Sequence, residues 1–221
     1  MIIWPILALA FAGLEVLALR RNWPRLEYIV KPAVMACLFI WLVLESGLQD
    51  HLLWFGLGIL FSLIGDILLM ISFERLFIPG LVMFLLAHNG YLIGFQEQLL
   101  NPNIWSFILL FFIFLNAIRL LRRIVAAMRA SRQDRMVYPV ILYSLVISLM
   151  LYAAMSTIFD PAWGTSAAFL VSAGAFLFWV SDLILAWDRF VSPIQNSRIL
   201  NILAYHLGQI GLIAGVISQF G

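Results

Sequence analysis

Asp66, in the stretch LIGDILLM (63–70), and Asp182, in WVSDLILAW (179–187), are carboxylic acids set inside continuous apolar runs. An ionisable side chain in hydrocarbon costs about 2.5–3.5 kcal/mol or more, so its default reading is functional. Burial disfavours the charged form of a carboxyl, and two neighbouring carboxyls resist double ionisation. One can therefore hold a proton while the other holds the charge, which is how aspartic hydrolases and glycosidases obtain an acid beside a base or electrostatic stabiliser. Asp66 and Asp182 are accordingly the expected catalytic pair. Ser181 beside Asp182, and Lys31, His88, Tyr91, Tyr205 and Gln209 in other apolar stretches, are the polar side chains expected to bind substrate around them. The structural alternatives are a neutral acid hydrogen-bonded between helices, an Asp66–Lys31 pair and a histidine satisfied in a core.

The elements that must position these groups are membrane helices. Of 221 residues, 64% are hydrophobic and 11% charged, a composition with too little polar surface for a water-soluble domain. About 20 apolar residues cross a roughly 30 Å hydrocarbon core. Eight segments satisfy this, near residues 2–19, 28–45, 52–71, 77–99, 103–121, 137–157, 165–187 and 199–219. The runs are too continuous for the alternation of a β-barrel. The first is read as a span and not a cleaved leader, because it lacks a basic leading segment. Lys31-Pro32 reads as an ordinary helix start. Cys37 is a lone thiol and forms no intramolecular disulfide.

All twelve arginines fall on alternate connections: Arg20 to Arg25, Arg75, Arg119 to Arg135, and Arg189 with Arg198. Only an even number of spans in register gives that pattern. By the positive-inside rule those connections are cytoplasmic and both termini face outward. The longest connection, RRIVAAMRASRQDR, is expected to be a topological anchor, or else a short interfacial helix on anionic lipid.

Spans three and seven share a pattern: a small residue, then Asp, an aliphatic triplet and an acidic-Arg turn (Gly65-Asp66 and Glu74-Arg75; Ser181-Asp182 and Asp188-Arg189). Their successors, LLAHNGYLIGF and ILAYHLGQIGLIAG, also correspond. The expectation is one transmembrane domain, 1–221, built from parallel four-helix halves near 1–100 and 101–221. At 1.5 Å per residue, Asp66 lies about 13 Å from Arg75 and Asp182 about 10 Å from Arg189. With Lys31, His88 and His206 they share one layer in the cytoplasmic half. Ser62, Gly65 and Asp66 lie on one face of their span, His88 pairs with Tyr91, and Asn201, Tyr205 and Gln209 form a stripe. Glu15, Glu74, Glu97, Asp160 and Asp188 read as interfacial and structural.

GDILLM (65–70), GLVMFLLAHNGYLIGF (80–95), SDLILAWDRF (181–190), the Tyr205…Gly208-Gln209 pattern and Lys31-Pro32 resemble the YhhN-like lysoplasmalogenase family of multispan membrane proteins. The likeness extends over nearly the whole chain. His206 departs from the family pattern, which favours an aromatic or small residue there. The resemblance implies an all-α membrane bundle that cleaves the vinyl ether of lysoplasmalogens to a fatty aldehyde and glycerophosphoethanolamine or glycerophosphocholine. A vinyl ether must be protonated on carbon before water captures the oxocarbenium ion. One aspartate would supply that proton while the other, ionised, stabilises the cation and activates water; the sequence leaves the two roles unassigned. His88, Tyr91, Tyr205 and Gln209 would orient water or a glycerol hydroxyl, and Lys31 would meet the phosphate. The expected partner is a lysophospholipid in the bilayer, with no nucleic acid, cofactor or metal. The alternatives are a metal-dependent lipid hydrolase using His88, His206, Asp66 and Asp182, and a lipid or proton-coupled transporter. Abundant arginine with a single lysine suggests a bacterial inner membrane.

Overall fold

The computed structural model describes residues 2–100 and 102–221. Among them it contains nine α-helices, two 3-10 turns and no strand. The helices are α1 (Ile3–Arg21), α2 (Pro24–Ser46), α3 (Leu52–Ile71), α4 (Phe77–Gly94), α5 (Gln96–Leu100), α6 (Ile104–Ala130), α7 (Val137–Ser156), α8 (Thr165–Phe190) and α9 (Ser197–Phe220). All but α5 are long and apolar enough to span a bilayer, which makes the protein an integral, multi-pass membrane protein with eight spans.

The helix boundaries follow local chemistry. Pro24 occupies the first turn of α2, where its missing N–H costs nothing, and Asn22 and Gly47 adopt left-handed conformations that end α1 and α2. Asn103 caps α6 by accepting a hydrogen bond from the Ser106 N–H at 3.0 Å.

Two expectations are revised. Lys31-Pro32 is not a helix start: α2 begins seven residues before Lys31, and Pro32 lies inside it. Pro32 has no N–H for the carbonyl of Tyr28, so the backbone is loosened beside Lys31, a defect that membrane helices tolerate when neighbours satisfy it. The arginine-rich connection after the fifth span is largely a continuation of α6, whose 27 residues extend about 40 Å. Ile124 and Met128 keep that extension attached by packing against Val137, Val140 and Phe190.

The most extensive packing joins α8 with α9, α3 with α4, and α1 with α2. Helix α7 lies at the centre and contacts α4, α6 and α8, whereas α6 is peripheral, burying only Ser106, Ile124 and Met128. Its exposed Phe107, Phe111 and Phe112 suit a lipid-facing surface.

Glycine sets the closest helix approach. A Cβ on Gly174 would stand 2.4 Å from the Leu212 nitrogen and 2.7 Å from the Gly208 carbonyl oxygen. Both neighbours are backbone, so no rotamer change relieves the clash. In α3, Gly58 makes room for the Tyr91 ring of α4 and lies against Gly90 of that helix, where an added Cβ would stand 3.2 Å from the Gly58 nitrogen. Gly58 and Gly174 each stand eight residues before their aspartate, so the same close crossing lies two turns from each carboxyl. Gly174→Ala is expected to destabilise the fold by about 1–3 kcal/mol, read as a lowered melting temperature in detergent. Gly13→Ala, where a Cβ meets nothing within 4 Å, should leave the melting temperature unchanged or slightly raised.

Candidate functional site

Asp66 is almost wholly buried on α3, and two helices hold its carboxylate. Lys31 Nζ of α2 lies 3.0 Å from Oδ1, and the Tyr205 hydroxyl of α9 donates to Oδ2 at 2.7 Å. One turn away, Ser62 accepts from Gln209 Nε2 at 3.0 Å, and Gln209 Oε1 accepts from the Tyr91 hydroxyl at 2.7 Å. This chain ties α3, α4 and α9 together. Lys31 stacks over the ring of Tyr205 at 6.0 Å. With an ammonium on one oxygen and a hydroxyl donor on the other, Asp66 has the partners of an ionised carboxylate.

Asp182, on α8, has a different environment. Tyr143 of α7 donates a hydrogen bond to Oδ2, and His88 Nε2 of α4 lies 3.3 Å from the same oxygen and 2.9 Å from the Tyr143 hydroxyl. His88 is fully buried, and its Nδ1 has no partner among the described residues. A charged imidazolium would leave a buried N–H donor unsatisfied there, so the neutral Nε2–H tautomer fits the pocket. Asp182 therefore has donors but no neighbouring cation among the described residues. Its side chain is 16% exposed, whereas that of Asp66 is 2% exposed.

The two carboxyls share no hydrogen bond among the described residues, yet they line one cavity of about 640 Å³. Lys31, Ser181, Asn201 and Tyr205 line it as well, and its mouth carries Tyr28, Ser72, Asp188 and Arg198. Those mouth residues lie at one end of α2, α3, α8 and α9, the end bearing the arginines. The Ser181 hydroxyl is buried there without a partner among the described residues, a position ready for water. A second, narrower cavity, about 80 Å³, lies between α4, α6, α7 and α8 and is lined almost entirely by apolar groups such as Leu81, Leu121 and Ile147. Leu69, Phe84, Asp182 and Leu185 line both. Asp182 thus stands where a polar chamber meets an apolar slot.

The sequence-derived residues divide accordingly. Lys31, Asp66, Ser181, Asp182 and Tyr205 reach the polar cavity, whereas His88 stands behind its wall against Asp182, and Tyr91 and Gln209 lie outside its lining, bonded to each other and to Ser62. Sequence reasoning missed Tyr143, one tyrosine among apolar neighbours with no pattern to separate it from packing. It also placed Glu15 at the interface. Glu15 is fully buried and paired with the equally buried His206; its position five residues inside Arg20 was the available signal. The four side chains of a metal-site reading are split between Lys31–Asp66, His88–Asp182 and Glu15–His206. No group of three or more His, Cys, Asp or Glu converges among the described residues.

The fold and site define a class: a multi-pass helical membrane protein with a polar chamber, lined by two aspartates, that opens at one end of the bundle. The family follows from the sequence itself, since the YhhN family model matches residues 26–216, and the chain belongs to that family. Among curated proteins it is similar to lysoplasmalogenase TMEM86B of Mus musculus, 29% identical over 90% of this chain and 78% of that protein. It is likewise similar to lysoplasmalogenase TMEM86B of Homo sapiens, 30% identical over 82% and 71% respectively. Lysoplasmalogenase TMEM86A of Bos taurus is 29% identical over 69% of this chain and 60% of its own length. No solved structure matches the chain.

Proposed function

We propose that this protein hydrolyses the vinyl ether of lysoplasmalogens, with Asp182 as the acid and Asp66 as the ionised partner. The observation that carries this reading is the position of Asp182 on the boundary between polar and apolar cavities. A lysoplasmalogen has the same anatomy: a glycerophospho headgroup, one vinyl ether and then an apolar chain. With its chain in the slot and headgroup in the chamber, the vinyl ether comes to Asp182.

Chemistry then follows from the two environments. Protonated Asp182 delivers its proton to the outer vinyl carbon, and an oxocarbenium ion forms at the carbon bonded to oxygen. The Asp66 carboxylate, across the same low-dielectric cavity, stabilises that cation. Water attacks the cationic carbon and returns a proton to Asp182. The resulting hemiacetal collapses, its hydroxyl proton passing to the glycerol oxygen, and releases aldehyde and glycerophospho-alcohol. Ser181 offers a hydroxyl for the water, and the phosphate lies toward Lys31 and Arg198. The active chamber is on the arginine-bearing side, read as cytoplasmic, with both termini outside and the membrane a bacterial inner membrane. The shared glycine-to-aspartate spacing of α3 and α8 supports two related halves within one domain.

Purified protein in detergent should release free fatty aldehyde from lysoplasmenylethanolamine and none from the 1-acyl analogue; flux of intact lipid without aldehyde would favour a transporter instead. Tyr143→Phe removes a donor from Asp182 while keeping the ring. It is expected to lower kcat about tenfold, with the melting temperature changed little, since one hydrogen bond to a polar group contributes about 1–1.5 kcal/mol.

A further inference from the structure

We infer that the chamber's mouth selects a primary ammonium headgroup, an ethanolamine phosphodiester, over a trimethylammonium one, with Asp188 as the specificity-determining residue. This rests on the reading that the vinyl ether lies at Asp182. Asp188 lies six residues further along α8, a rise of about 9 Å toward the bundle end. In a lysoplasmenylethanolamine, nine bonds separate the ether oxygen from the ammonium nitrogen, the reach of three extended residues, roughly 10 Å. A headgroup running from Asp182 to the mouth therefore brings its nitrogen to Asp188.

The charges at the mouth are arranged for a zwitterion. Asp188 lines the cavity, and its Oδ1 accepts from the Ile194 N–H at 2.7 Å, which fixes the carboxyl within the connection to α9. No ion pair engages Asp188 among the described residues. The other carboxylate of the rim, Glu27, is already bound to Arg198, and Lys31 is bound to Asp66. Arg198 remains mostly exposed, so a phosphate can be met there while Asp188 takes the cation. A primary ammonium brings three N–H donors to a carboxylate, whereas a trimethylammonium brings none and is bound best in an aromatic cage. At this end of the cavity Ser72, Asp188, Ser197 and Arg198 supply polar groups beside the rings of Tyr28 and Phe73, so the carboxylate of Asp188 is what distinguishes a donor-bearing ammonium from a methylated one.

The test is Asp188→Asn, which keeps an oxygen for the Ile194 N–H and removes only the charge. Turnover of lysoplasmenylethanolamine and lysoplasmenylcholine is compared in the same detergent. Wild type should prefer the ethanolamine substrate in kcat/KM, and Asp188→Asn should reduce that preference about tenfold through KM. An equal loss on both substrates would make Asp188 merely structural and overturn the inference, as would an unchanged ratio. If wild type releases aldehyde from neither substrate, the vinyl ether reading fails. Headgroup selection is then read by binding of the saturated alkyl-ether analogues, where equal affinity for ethanolamine and choline forms, or no effect of Asp188→Asn, would overturn it.

Discussion

Asp182→Asn nearly abolishes aldehyde release, lowering kcat about a thousandfold, while the protein still folds and melts near the wild-type temperature. The magnitude follows from the role, since a positioned general acid contributes about 10²–10⁴-fold and vinyl ether cleavage has no other starting step in this site. The preserved fold follows from the environment. Tyr143 and His88 both donate toward Asp182 Oδ2, and an amide oxygen in the same place accepts those bonds. With no cation beside it among the described residues, the change strands no charge. Comparison of turnover and thermal unfolding on one preparation checks both halves. A folded Asp182→Asn variant with wild-type turnover would remove Asp182 from the mechanism.

The second large effect separates charge from fold at Asp66. Lys31→Met leaves the Asp66 carboxylate buried with only Tyr205 to satisfy it. Removing one partner of a buried ion pair costs about 3–5 kcal/mol, because an uncompensated charge remains in low dielectric. The variant should melt far below wild type and turn over no substrate. In Lys31→Met/Asp66→Asn the charge is gone and Tyr205 keeps an acceptor. Replacing both members of a buried pair is frequently neutral, so most of the lost stability should return. Turnover should not, since no anion faces the oxocarbenium ion. Recovery of both would show that the Lys31–Asp66 pair is purely structural.

Much of this was legible before any coordinates. Continuous apolar runs and alternating arginines gave eight spans, because the bilayer imposes length and charge asymmetry directly on sequence. Asp66, Asp182, Lys31 and Tyr205 stood out because polar groups in hydrocarbon are rare. What was not legible depends on packing between helices. The order of residues offers an Asp66–Lys31 pair only as one alternative and does not say that Asp182 goes without a cation among the described residues, and the proposed roles of acid and anion rest on that difference. Tyr143 was hidden for the same reason: its hydroxyl becomes meaningful only once α7 is placed against α8. Pro32 misled in the other direction, since proline marks a helix start in water, whereas in α2 it sits within a membrane helix.

The most direct measurement is the fate of the proton. Lysoplasmenylethanolamine is turned over in D₂O, the aldehyde is trapped by reduction as it forms, and deuterium is located by mass spectrometry. Protonation of the vinyl carbon by Asp182 places one deuterium on the carbon next to the aldehyde carbon in each product molecule. Aldehyde released by this protein without that deuterium would contradict carbon protonation as the opening step.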